Sequence, residues 1–188
     1  MQMPLILASA SPRRSELLAH LLNDFSCISA DINEQAWPNE KPDTLVARLA
    51  LEKAQAVLKN QQAWVLGADT LIAFNGVGIG KPESLEHSTE ILMQLSGRWH
   101  QVLTSLALIS HQAQYQISCC TDVLMTKISQ QEINEYWLSG EPQDKAGSYA
   151  IQGKGGKFVA QIRGSYSAVV GLPLVETNHL LKQAGLVT

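Results

Sequence analysis

Cysteine is scarce: the 188-residue chain holds three, and two of them, Cys119 and Cys120, are adjacent. An odd count with that spacing suits neither a disulfide framework nor a zinc site, and a strand-like run around Cys119 and Cys120 points to strand packing instead. A reducing, cytoplasmic setting is the expectation. The five histidines are scattered without ligand spacing, which argues against a histidine metal centre. No apolar run is long enough to span a bilayer. No basic stretch leads into an apolar one near Met1, so neither an anchor nor a signal peptide is expected. An excess of one charge is missing too: 14 Lys and Arg against 17 Asp and Glu give a formal net charge of −3. With no basic excess and no basic stripe, no nucleic-acid partner is expected, and any anion site must be local. The chain also lacks the Gly-x-x-x-x-Gly-Lys loop, a Gly-x-Gly-x-x-Gly after a strand, and a Gly-x-Ser-x-Gly elbow.

What remains is an ordinary globular composition, 45% hydrophobic and 16% charged. It is enough for one core-forming domain, undivided or in two lobes. Leu5–Ala8 reads as a short buried strand and Phe25–Ser29 as a second. Between them, Ser11 stands as an N-cap and Pro12 as the first residue of a helix continued by Leu17, Leu18, Leu21 and Leu22. Residues 31–42 are polar loop. Asp43 or Thr44 opens a helix to about Lys59 with an apolar stripe from Leu45 to Leu58. Trp64–Leu66 is a strand ending at Gly67-Ala68-Asp69-Thr70, Leu71–Phe74 continues extended, and Asn75-Gly76 signals a hairpin. A helix from Ser84 to Leu95 precedes a long strand pair, Trp99–Ile109 and Tyr115–Lys127. Ser129 with Glu132 forms a capping box for a helix to Leu138. The glycine-rich stretch from Asp144 to Ser167 is expected to hold short strands at Ser148–Ile151 and Phe158–Ile162, and Pro173 opens a last helix. The order implies an α/β fold with a mixed sheet flanked by helices.

Few residues offer chemistry. Ser9, Ser11, Arg13 and Arg14 surround a helix start, where free N–H groups and the helix dipole favour phosphate. A capped helix with two exposed arginines fits the same residues. Asp69 follows an apolar strand, where a carboxylate can hold a hard metal or polarise water. A turn aspartate bonded to its own backbone is the alternative, and the apolar flanks favour the functional reading. Taken singly, Glu34 reads as a solvated loop acid, Lys53 as a surface partner of Glu52, and Lys81 as an exposed loop lysine. Gln152 reads as a turn residue or as an amide facing a base edge, and His100 as a packed or solvated histidine. Together, the cations and carboxylates are what metal-assisted phosphate chemistry needs.

In order, these segments resemble the Maf family of nucleoside triphosphate pyrophosphatases. The resemblance runs through Leu5-Ile6-Leu7-Ala8-Ser9-Ala10-Ser11-Pro12-Arg13-Arg14, Asp31-Ile32-Asn33-Glu34, Arg48-Leu49-Ala50 and Lys53-Ala54, Gly67-Ala68-Asp69-Thr70, and Lys81-Pro82. It continues in Leu95-Ser96-Gly97, His100-Gln101-Val102, Asp144-Lys145-Ala146-Gly147-Ser148-Tyr149, Ile151-Gln152-Gly153, and Val170-Gly171-Leu172-Pro173. It implies that residues 1–188 form a single domain with two lobes around a central cleft, like inosine triphosphatase. It implies hydrolysis of a nucleoside triphosphate to the monophosphate and pyrophosphate with a divalent cation, Mg²⁺ or Mn²⁺. Asp69 would be the proton acceptor, and Ser9, Arg13, Arg14, Lys53 and Lys81 the phosphate ligands. Glu34 and Asp69 would hold the metal. Arg13, Thr70 and Gln152 match the subgroup associated with dTTP and UTP, with a housekeeping role in the nucleotide pool. A glutamine amide donates and accepts at once, which suits the edge of uracil or thymine. A purine pyrophosphatase acting on 7-methyl-GTP or inosine triphosphate is one alternative, and a nucleotide-binding regulator of septum formation another. A homodimer is consistent with the family.

Overall fold

The computed structural model describes residues 3–59 and 61–188. Its centre is a seven-stranded mixed sheet. Strands β1 (Leu5–Leu7), β2 (Phe25–Cys27) and β3 (Trp64–Phe74) lie in the order β2-β1-β3, with both pairings parallel. The sheet continues antiparallel through β5 (Trp99–Ile109), β6 (Gln114–Met125) and β7 (Val159–Arg163). The short β4 (Val77–Ile79) folds back on the far end of β3 through the Asn75-Gly76 turn. Among the described residues six α-helices flank the sheet: α1 (Pro12–Ala19), α2 (Pro42–Leu58), α3 (Leu85–Leu95), α4 (Gln130–Trp137), α5 (Tyr166–Val170) and α6 (Leu174–Gln183). Among the described residues, no helix is long and apolar enough to cross a membrane.

Side-chain alternation sorts the core onto two faces. Leu5, Leu7, Trp64 and Leu66 pack with Leu18 of α1 and with Leu180 and Leu181 of α6. Ile6 and Val65 face the other way, toward Ala50, Ala54 and Val57 of α2. Farther along β3 a third cluster begins at Ile72 and Phe74 and takes in Ile91, Leu92 and Leu95 of α3, with Ile133 and Tyr136 of α4. The apolar interior therefore has two halves, crossed by the long strands. Asp69 and Thr70 lie between Ala68 of one half and Ile72 of the other.

Several expectations need correction. Asp69 is not beyond a strand end. It sits inside an 11-residue strand, because β5 pairs with β3 without a break from Val65↔Ile109 to Ala73↔Gln101. Residues 148–151 form no strand: Gly147 and Ser148 both have positive φ, which turns the chain where a strand would run straight. Gly147 combines a positive φ, which favours glycine, with a close approach to the end of the Ile72 side chain, which a Cβ would have to displace. Helix α2 starts at Pro42 with Lys41 in the cap position, ahead of Asp43 and Thr44. Ser11 occupies the N-cap position of α1 but makes no side-chain cap, and α1 ends before Leu21. The short helix α5 was not expected.

Candidate active site

The sheet leaves a gap along one edge of β3. β1 pairs with it as far as Leu66, and β4 takes up the same side from Ile72. Between them the edge of Gly67–Leu71 opens into a cleft of about 420 Å³, within the range of small-molecule sites. Successive residues of this edge serve opposite faces of the sheet. Asp69 faces α2, and Thr70 faces α1 and α5.

On the α2 face the approach is unusually close. A Cβ at Gly67 would strike the Ala50 carbonyl and the Ala54 backbone, so glycine lets the helix rest on the strand. Lys53, one residue before Ala54, then reaches Asp69. Its Nζ donates to Asp69 Oδ1 at 2.6 Å and lies 2.8 Å from Glu34 Oε1. Lys53 and Asp69 are both buried, whereas the Glu34 side chain is 54% exposed. Lys53 is thus no surface partner of Glu52; Glu52 instead pairs with Arg48. Nor is Glu34 a free loop acid, since its carboxylate closes the far side of the same ammonium. Burial pushes the Asp69 carboxyl above its ordinary value, and the attraction of Lys53 only partly offsets this. For Glu34, burial also pushes upward, but the hydrogen bond and charge of Lys53, with Lys81 and Arg14 beyond, leave it below its ordinary value. Two neighbouring carboxyls are therefore driven in opposite directions.

On the other face Arg14 is held at every nitrogen. Nε donates to the Gly171 carbonyl at 2.9 Å, Nη1 to Ser9 Oγ at 3.4 Å, and Nη2 to Thr70 Oγ1 at 3.3 Å. Thr104 donates to the Ala168 carbonyl at 2.8 Å, so in the 3.1 Å contact with Thr70 it is the Thr70 hydroxyl that donates. A directed chain results, from Arg14 through Thr70 and Thr104 to α5. Burial pushes the guanidinium below its ordinary value, with the charge of Asp69 opposing; an arginine side chain nevertheless keeps its charge in proteins. Ser9 Oγ also accepts the Ser11 N–H at 3.1 Å. The hydroxyl that organises the start of α1 is therefore Ser9, two residues before the expected cap.

Arg13, Lys81 and Gln152 complete the cleft wall, with Tyr149 beneath the Gln152 segment. Arg13 is half-buried, and Lys81 and Gln152 are exposed. The Gly147 N–H donates to the Gly80 carbonyl at 2.9 Å, which ties the 144–148 turn to the stretch carrying Lys81. His100 is a packed histidine: it is buried, meets Tyr149 Oη at 2.8 Å, and is lowered to about 4 by burial. The nine residues to which the family resemblance assigned a site role, Ser9, Arg13, Arg14, Glu34, Lys53, Asp69, Thr70, Lys81 and Gln152, thus line one cleft, and His100 does not.

Other functional groups had no assigned role in the sequence. Thr104 and the Gly171 carbonyl seat Arg14; a hydroxyl among the apolar residues of a strand was the only signal. Arg48 gathers the loop that carries Glu34. Its guanidinium grips both oxygens of Glu40 at 2.7 Å, donates to the Gln35 carbonyl and Glu52 at 3.0 Å, and lies 4.1 Å over the Trp37 ring.

The chain as a whole has relatives. A protein from Pseudoalteromonas atlantica named dTTP/UTP pyrophosphatase is 49% identical over 189 residues, covering 97% of each chain. One of the same name from Colwellia psychrerythraea is 51% identical, covering 97% of this chain and 89% of its own. The solved structure of a HAM1 protein from Coxiella burnetii shares the fold, with a TM-score of 0.56, 16% identity, and coverage of 97% of this chain and all of that one. Residues 4–184 match the family described as Maf-like protein, and with relatives of this identity along nearly its full length, the chain belongs to that family.

Proposed function

We propose that this chain hydrolyses dTTP and UTP to the nucleoside monophosphate and pyrophosphate, as the names of its relatives suggest, and so clears such nucleotides from the pool. The observation that carries the reading is the Glu34–Lys53–Asp69 array, set in a cleft whose walls hold Arg13, Arg14 and Lys81. Arg13 and Lys81, on the cleft wall, bind the triphosphate as cations. Arg14 is fixed, and its charge lies where phosphate oxygens approach the start of α1. Charge that builds on the departing pyrophosphate meets donors already in place, which lowers the barrier without reorganisation.

Asp69 is the proton acceptor in this reading. A carboxyl raised by burial is a stronger base once ionised than an exposed one, and the raised value brings it nearer working pH. Lys53 keeps it ionised and oriented. Glu34 and Asp69 offer the hard oxygen donors that Mg²⁺ or Mn²⁺ takes, and among the described residues no third His, Cys, Asp or Glu joins them. Such a pair fits a metal that completes its shell with water and substrate phosphate. Bound there, the metal would neutralise phosphate charge and acidify a water. Gln152 faces the base, and Thr70 contributes to selectivity through its hold on Arg14. The test is Asp69→Asn in parallel assays of pyrophosphate release and dTTP binding by calorimetry. Hydrolysis is expected to fall by about 10²–10⁴ with binding retained; hydrolysis at the wild-type rate would refute the assignment.

A further inference from the structure

Gln152 lies on an exposed turn with no strand to hold it. What fixes it is a buried tyrosine and a carboxylate outside the cleft. Glu141, just after α4, accepts three hydrogen bonds. Oε1 takes the Tyr136 hydroxyl at 2.6 Å and the Gly155 N–H at 2.9 Å, and Oε2 takes the Lys154 N–H at 2.9 Å. Tyr136 Oη in turn accepts the Ala150 N–H at 3.1 Å. Backbone donors on both sides of Gln152 are thereby drawn onto one Tyr–Glu pair. The wrap is tight: a Cβ at Gly153 would enter the Glu141 carboxylate, and one at Gly155 would strike Tyr136 Oη and the Ala150 backbone. The Tyr136 ring is itself locked edge-on against Phe158, with centroids 5.3 Å apart. Burial pushes the Glu141 carboxyl up, but the donors from Tyr136, Gly155 and Lys154 outweigh it and hold it ionised below its ordinary value.

We propose that Glu141 and Tyr136 are specificity-positioning residues, which set the backbone register of Gln152 and so determine which pyrimidine edge the site accepts. The inference rests on the reading that Gln152 faces the nucleobase. Neither residue lines the cleft, so both act through the turn. Phosphate binding, carried by Arg13, Arg14 and Lys81, lies on other elements and is not expected to respond.

The experiment measures kcat and KM for UTP and CTP, which differ at the base edge alone, in the wild type and in Tyr136→Phe, Glu141→Gln and Gln152→Ala. Tyr136→Phe keeps the buried ring and removes only the hydroxyl. The preference for UTP over CTP is expected to fall about tenfold in Tyr136→Phe, the factor that one hydrogen bond of ordinary strength supplies. The loss should appear in KM for UTP with kcat nearly unchanged. Glu141→Gln keeps the Oε1 acceptor, loses the Oε2 one, and is expected to shift the preference the same way. Equal losses for UTP and CTP in both variants would mark a merely structural role and overturn the inference. If Gln152→Ala shifts the preference while the other two variants leave it alone, the positioning role fails and the reading of Gln152 stands. If Gln152→Ala leaves the preference unchanged, that reading fails, and the inference with it.

Discussion

Removing the ammonium from the Glu34–Lys53–Asp69 array tests its physics most sharply. In Lys53→Met the stem stays and the charge goes. Asp69 is then a buried carboxylate without its 2.6 Å partner. Breaking a buried pair from one side costs about 3–5 kcal/mol. The lower end applies here, because Glu34 is half exposed and can turn to water. For 188 residues the unfolding entropy is roughly 0.4 kcal/mol/K, so about 3 kcal/mol lowers Tm by about 8 °C. Adding Asp69→Asn removes the stranded charge. The double variant is expected to regain about 1–2 kcal/mol, or roughly 3–5 °C, over Lys53→Met alone. Acid should have the same effect: as pH falls through the raised Asp69 value the carboxyl becomes neutral, and the penalty of Lys53→Met shrinks. The assay is thermal unfolding by circular dichroism at several pH values in low salt. Additive losses in the double variant, or a penalty that grows toward acid pH, would refute the reasoning.

Other outcomes follow from the same geometry. In the metal-free protein the Asp69 carboxyl should titrate above the ordinary aspartate value of 3.8 when followed by NMR, because burial disfavours its charge; titration at or below that value would contradict the burial argument. Arg48→Ala frees the loop that carries Glu34, and activity should drop about 10–100-fold, as for other residues that orient a ligand. Amide hydrogen exchange should rise across residues 29–40 and stay constant in β3. Gly67→Ala forces α2 away from β3, costs about 1–3 kcal/mol in chemical denaturation, and lowers activity further by displacing Lys53.

The sequence made most elements legible because local signals agreed with tertiary demand. The Ser129–Glu132 capping box, the Asn75-Gly76 turn and the alternation in β5 and β6 all lie where the pattern put them. The rest was hidden where a long-range partner overrode the local pattern. Gly67 and Asp69 look like strand breakers, yet β5 pairs straight past them, and the glycine is there for helix α2 rather than for a turn. Residues 148–151 look strand-like, but the left-handed conformation at Gly147 and Ser148 is set by contact with β3 and the Gly80 carbonyl. Lys53 illustrates the limit for the site. Beside Glu52 it reads as surface charge; only the pairing of α2 with β3, across 16 residues, reveals it as a buried cation. Tyr136 and Glu141 act only through long-range hydrogen bonds to residues 150–155, so nothing in the sequence distinguished them from packing residues, and Thr104 showed only as a hydroxyl in an apolar strand.

A substrate panel with product identification shows whether this cleft opens pyrimidine triphosphates between monophosphate and pyrophosphate. Purified protein is given dTTP, UTP, 7-methyl-GTP and inosine triphosphate, each with Mg²⁺ and with Mn²⁺, and the products are separated by chromatography. The highest kcat/KM is expected for dTTP and UTP, with monophosphate and pyrophosphate in equal amounts. Preferential turnover of either purine, or release of orthophosphate with a nucleoside diphosphate, would contradict the proposed function.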